Sequence, residues 1–199
     1  MENIKILLIG GAENTGKSGI IRKLVVDFLL NKNFKVRKLL KNEFIKKVYR
    51  ERIEGKELID NQEFIIDYIK EKKYDCCTQR EEYSNDYFCL LKKEKTKIIV
   101  STASDIEIII DNFKKYCNEN NPYDFIIAPI RNENDVVRDD FFRIMKINKD
   151  LKNIVELPLA KIYKNKNYDK VKALRWYEEK IFLIAQKILE QEFFNIKQK

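Results

Sequence analysis

Apolar positions along the chain fall into short runs separated by charged turns, and their period changes from run to run. Residues 4–9 form a nearly continuous aliphatic run, the pattern of a central strand covered on both faces. Ile20, Ile21, Leu24, Val25, Phe28 and Leu29 then recur at helical spacing, which predicts a helix packed on the sheet. Residues 31–33 make a polar turn, and residues 34–40 alternate well enough for a second strand. A long helical region is expected from Asn42, with Phe44, Ile45 and Val48 on one face and Gly55 as its breaker. Another helix is expected over residues 61–72, with Phe64, Ile65, Tyr68 and Ile69 as its apolar face. Residues 74–86 are polar and read as a loop, either a lid or substrate loop or a solvated connector.

Two strand-like runs, residues 87–92 and 96–103, flank the charged turn Lys93, Glu94 and Lys95 and read as a β-hairpin. The second run ends in Ser101, Thr102, Ser104 and Asp105. In an open α/β sheet that end of a strand is where ligands bind, so Asp105 is a candidate catalytic carboxylate. It also reads as an N-cap of the next helix, residues 106–117. Residues 118–122 stop that helix, and residues 123–130 form another buried strand ending in Arg131. Arg131 would face the same crevice. Arg138 joins it on one face if residues 132–145 are helical, and both are suited to gripping phosphate; Arg138 equally suits pairing with Asp135, Asp139 or Asp140. Residues 153–163 read as the last strand, with Pro158 marking its end or an edge. Residues 169–196 carry a long amphipathic stripe that includes Trp176, Tyr177, Ile181, Ile184 and Leu189.

Between the first strand and the first helix lies GAENTGKS, Gly11 to Ser18. Gly10, Gly11 and Gly16 permit the tight turn and close backbone approach that wrapping a phosphate requires. The helix beginning near Lys17 leaves its first amide N–H groups unpaired, and these suit an anion. Lys17 is placed to reach the β- and γ-phosphates, and the Ser18 hydroxyl to sit on magnesium. On these residues the chain resembles the P-loop nucleoside triphosphate hydrolase superfamily, loosely its small nucleoside and nucleotide kinases. The resemblance implies a three-layer α/β/α P-loop fold, with a mostly parallel sheet and one antiparallel edge hairpin, in a single nucleotide-binding domain spanning 1–199. It implies that Gly11, Ala12, Glu13, Asn14, Thr15, Gly16, Lys17 and Ser18 form the Walker A loop. It implies ATP and Mg2+ as cofactors, with Ser18 and Asp105 at the metal. Asp105 matches a Walker B acid only loosely, because small and polar residues intervene after Val100. The loop lacks the early lysine of the MinD-like branch. Asn165-Lys166-Asn167-Tyr168-Asp169 has one residue too many for the guanine-reading motif, and no glycine follows Gly55; both argue against a Ras-like GTPase.

The 199 residues suit one domain with a full core. An apolar content of 44% and a charged content of 36% fit a globular chain with a heavily charged surface. No apolar run reaches the length of a membrane span, and the first residues lack the basic leader of a signal peptide. A cytoplasmic protein is expected. The formal charge of +8 draws anions, but the lysines are scattered, so nucleic acid is not the favoured partner. Cys76, Cys77, Cys89 and Cys117 form no C-x-x-C pair, and there is no histidine to complete a zinc site; reduced thiols are expected. Without histidine, any catalysis runs on carboxylates, Lys, Arg, hydroxyls and a metal. The expected activity is transfer of the ATP γ-phosphoryl group to a small nucleoside- or nucleotide-like acceptor, with Lys17, Asp105 and Arg131 as the chemical residues. An ATPase or nucleotide-dependent switch acting on a partner is the alternative.

Overall fold

The computed structural model describes residues 4–11, 16–41, 62–75, 80–83, 85–103, 106–148, 152–159 and 170–191. The helical region expected from Asn42 to Gly55 lies outside the described residues.

Strand β1 (Lys5–Gly11) leads into helix α1 (Lys17–Lys23), which continues without a break into π-wound turns over Leu24–Leu30. The polar turn at 31–33 follows, then β2 (Lys35–Lys41). Helix α2 (Gln62–Lys70) is followed by two short strands, β3 (Lys72–Asp75) and β4 (Arg80–Tyr83). Strands β5 (Tyr87–Lys93) and β6 (Thr96–Ser101) form the expected hairpin. Helix α3 (Glu107–Glu119), β7 (Phe125–Ile130), α4 (Val136–Met145), β8 (Ile154–Leu159) and α5 (Lys170–Glu190) complete the order.

The main sheet has six strands in the order β2-β5-β6-β7-β1-β8. β1 pairs in parallel with both β7 and β8, and β6 in parallel with β7. β5 runs antiparallel to both its neighbours, β2 and β6. The sheet is therefore mostly parallel, but the antiparallel hairpin does not lie at its edge. β2 lies outside it. The cause is visible in the side chains. Residues 87–91 of β5 are all buried, as in a strand covered on both faces. β2 carries Lys35, Arg37, Lys38 and Lys41, the charges that protect an edge from further pairing. At the opposite edge β8 accommodates Pro158, which cannot donate to a ladder.

Residues 72–83 also depart from the expected loop, because β3 and β4 pair antiparallel as a separate two-stranded ribbon. Backbone pairing satisfies N–H and C=O groups whatever the side chains are, so a polar sequence hides it.

Two buried clusters lie on opposite faces of the sheet. Leu7 and Ile9 of β1 join residues of α1, α2 and α5 in one. Ile6 and Leu8 join residues of α3 and α4 in the other. The alternation of β1 side chains between the two is the period of a strand, and it makes the molecule an α/β protein with helices on both faces.

Candidate functional site

The connections locate the crevice. From β1 the chain passes to α1 on one face, and from the adjacent β7 it passes to α4 on the other. Adjacent parallel strands whose connections leave to opposite faces open a crevice at their carboxyl ends, where α/β proteins bind ligands. Gly10 is paired with Ile130, so Arg131 leaves the sheet beside Gly11. The structure thus brings together Gly11, Gly16, Lys17, Ser18 and Arg131. Ala12, Glu13, Asn14, Thr15 and Asp105 lie outside the described residues.

Gly16 precedes the first residue of α1 with φ 83° and ψ 9°, a left-handed conformation that glycine adopts without strain. Its carbonyl accepts from the Ile20 amide at 3.0 Å and so begins the helix. No side chain caps this end. Lys17 is only 5% exposed, and its Nζ donates to the Gly11 carbonyl at 3.0 Å. The ammonium therefore reaches back across the loop to the end of β1, bracketing residues 12–15. Ser18 follows in the first turn, half-buried.

Both ends of the loop are crowded by carboxylates. A Cβ added to Gly10 would collide with the Glu156 side chain, and one added to Gly16 would lie 2.6 Å from Glu178 Oε1. Glu156, on β8, is held by Arg138, whose Nη1 and Nη2 donate to its two oxygens at 2.9 and 2.7 Å. The same Nη1 also donates to the Arg131 carbonyl at 3.0 Å. The Glu156 hydrogen bond holds the Arg138 guanidinium above its ordinary pKa. Arg138 thus fixes the start of the β7–α4 connection and pairs with none of Asp135, Asp139 and Asp140 in the way the sequence suggested. Asp135 instead caps α4, accepting from the Val137 amide at 2.9 Å.

At the carboxyl end of β6 the hydroxyls turn into the scaffold. Ser101 bonds the Ala103 carbonyl. Thr102 Oγ1 accepts from the Tyr87 amide at 2.8 Å and lies 3.2 Å from Asp86 Oδ1. The same Asp86 oxygen accepts from Arg22 Nη2. Long helical side chains lean toward the helix N-terminus, and Ser18 and Arg22 are neighbours one turn apart on α1. Asp86 therefore ties the face of α1 that bears Ser18 to the ends of β5 and β6. Sequence reasoning missed Asp86 by placing it in a polar loop. The available signal was an acid directly before a fully buried strand that begins at the ligand end of the sheet.

Among the described residues no group of three or more metal-binding side chains is assembled. The residues do fit magnesium held mainly by a nucleotide, because Mg2+ is commonly bound through substrate phosphates with few protein ligands, and the Ser18 hydroxyl stands in the first turn of α1. The buried Lys17 and the left-handed Gly16 fit a triphosphate in the same way. No helix among the described residues is long and apolar enough to cross a membrane. In comparisons with known proteins, the chain matches no family model, no curated protein and no solved structure.

Proposed function

We propose that the chain is an ATP-binding P-loop protein, a small kinase that transfers the γ-phosphoryl group to a nucleoside- or nucleotide-like acceptor with Mg2+. One observation carries this reading. Lys17, 5% exposed, follows the left-handed Gly16 at a helix start and reaches back to the Gly11 carbonyl, so Gly11 and Lys17 frame a loop at the sheet's switch point. In this reading residues 11–18 wrap the β-phosphate with backbone N–H groups, and the α1 dipole favours the negative charge. Lys17 exchanges the Gly11 carbonyl for the β- and γ-phosphate oxygens. Arg131 lies across the crevice as the cation facing the transferred group. Phosphoryl transfer needs mainly positioning and charge neutralisation, which these residues supply. Bound magnesium supplies charge neutralisation between the phosphates; Ser18 orients it from the loop, and Asp105 is assigned to its water shell.

The test is ADP release from magnesium-ATP, alone and against a panel of nucleosides and nucleoside monophosphates. ADP that appears with one acceptor and not without it is the expected result. ADP at one rate regardless of acceptor would replace the kinase by an ATPase, the alternative in which water takes the acceptor's place.

A further inference from the structure

Glu178 stands at the mouth of the proposed phosphate loop and belongs to neither the Walker A pattern nor its expected metal site. It is carried by α5, whose Ile181, Phe182, Ala185 and Leu189 are buried in the same cluster as α1. The neighbouring Tyr177 hydroxyl donates to the Pro158 carbonyl at 2.8 Å, which fixes this part of α5 to the end of β8. From there Glu178 projects against Gly16. Its Oε1 lies 2.6 Å, and its Cδ 3.5 Å, from where a Cβ on Gly16 would be. Only the lack of a side chain at Gly16 lets the carboxylate come so close. The side chain is half-buried. The contrast is with Glu156 beside Gly10, whose charge is matched by the two bonds from Arg138.

We propose that Glu178 is a charge gate over the loop, selecting the magnesium complex of a nucleoside triphosphate over the free triphosphate. This rests on the phosphate-loop reading above. In the empty protein a carboxylate at the start of α1 is favoured by the helix dipole. An incoming phosphate has the same sign and contends for the same amide donors. The repulsion scales with the ligand's charge. A free triphosphate carries roughly twice the negative charge of its magnesium complex, since the metal neutralises the phosphate oxygens it bridges. The gate therefore acts about twice as strongly, on a logarithmic scale, against the free form.

The experiment is calorimetric titration of the full chain with ATP, once with excess magnesium and once with chelator. Glu178→Gln removes the charge at nearly constant shape. It is expected to tighten free ATP about tenfold and magnesium-ATP about threefold, following the charge product. Glu178→Asp, which keeps the charge but withdraws it, gives a smaller shift in the same direction. Glu179→Gln, on an exposed neighbour, changes neither constant. Unchanged or weaker binding of free ATP by Glu178→Gln overturns the gate. So does weaker binding of magnesium-ATP, because the carboxylate would then be serving the ligand. Binding that is lost in Lys17→Ala but indifferent to Glu178 overturns this inference alone. No binding by any variant overturns the phosphate-loop reading and the gate together.

Discussion

Two glycines of the first helix region have opposite reasons for being glycine. Gly16 has φ +83° and meets the Glu178 carboxylate, whereas Gly19 sits inside α1 with nothing within 4 Å of an added Cβ. A left-handed conformation costs an L-residue about 1–2 kcal/mol, and a glycine inside a helix costs about 0.5–1 kcal/mol relative to alanine. Gly16→Ala should therefore destabilise by about 1–2 kcal/mol, with weaker ATP binding. Gly19→Ala should stabilise by about 0.5–1 kcal/mol. Urea unfolding of the two variants beside the parent checks both, and a shift of the same sign in both would contradict the backbone geometry. The same scale shows where local patterns fail. Arg22 and Asp86 meet across a sequence separation of 64 residues, and Arg138 finds Glu156 rather than its nearer acids. A pair closed by the fold leaves no mark in the sequence around either member.

At the scale of elements, α3 and the strands near it bury titratable groups in their neutral forms. Burial pushes the Cys117 thiol up to about 12, partly opposed by its hydrogen bond with Tyr123 and by Lys114. Burial raises Cys89, Tyr116 and Tyr123 in the same direction. It lowers Lys114, whose Nζ donates to the Met145 carbonyl at 2.9 Å. The signs follow from proton uptake. A group raised in the folded state gives full stability below its unfolded pKa, and that stability is lost as pH climbs toward the folded value. Lys114 works the other way, since the unfolded chain holds its proton more tightly, but it is outnumbered by the raised groups. Stability should therefore fall between pH 8 and 10. A thiol with an ordinary value of 9.0 contributes about 1.4 kcal/mol of that loss at one pH unit above it. Urea unfolding at both pH values measures the slope, and Cys117→Ala should flatten it. A slope that is zero or rising would contradict the buried neutral groups. The elements themselves were largely legible. β1, the hairpin of β5 and β6, α3, β7, α4 and α5 all follow from runs and periods, because each buries its own apolar face. The ribbon of β3 and β4 was not, because its pairing is carried by backbone rather than by side chains.

For the whole molecule, local pattern reveals that strands exist but not which strands adjoin. The order β2-β5-β6-β7-β1-β8 puts an antiparallel strand inside a mostly parallel sheet, a choice made by tertiary packing. The candidate site was legible in part for the same reason. Gly11, Gly16, Lys17 and Ser18 are contiguous and advertise themselves, and Arg131 follows from its place at a strand end. Glu156 and Glu178 reach the loop's glycines from β8 and α5, and only the assembled fold brings them there. The central claim is that the crevice beside β1 holds a nucleoside triphosphate through Lys17. Equilibrium titration of magnesium-ATP into the parent chain and into Lys17→Ala, with unfolding curves to show that both are folded, tests it most directly. Saturable binding by the parent, weakened at least a hundredfold in a folded Lys17→Ala, about 2.7 kcal/mol, is the predicted result. Equal binding by the two proteins, or none by the parent, would contradict it.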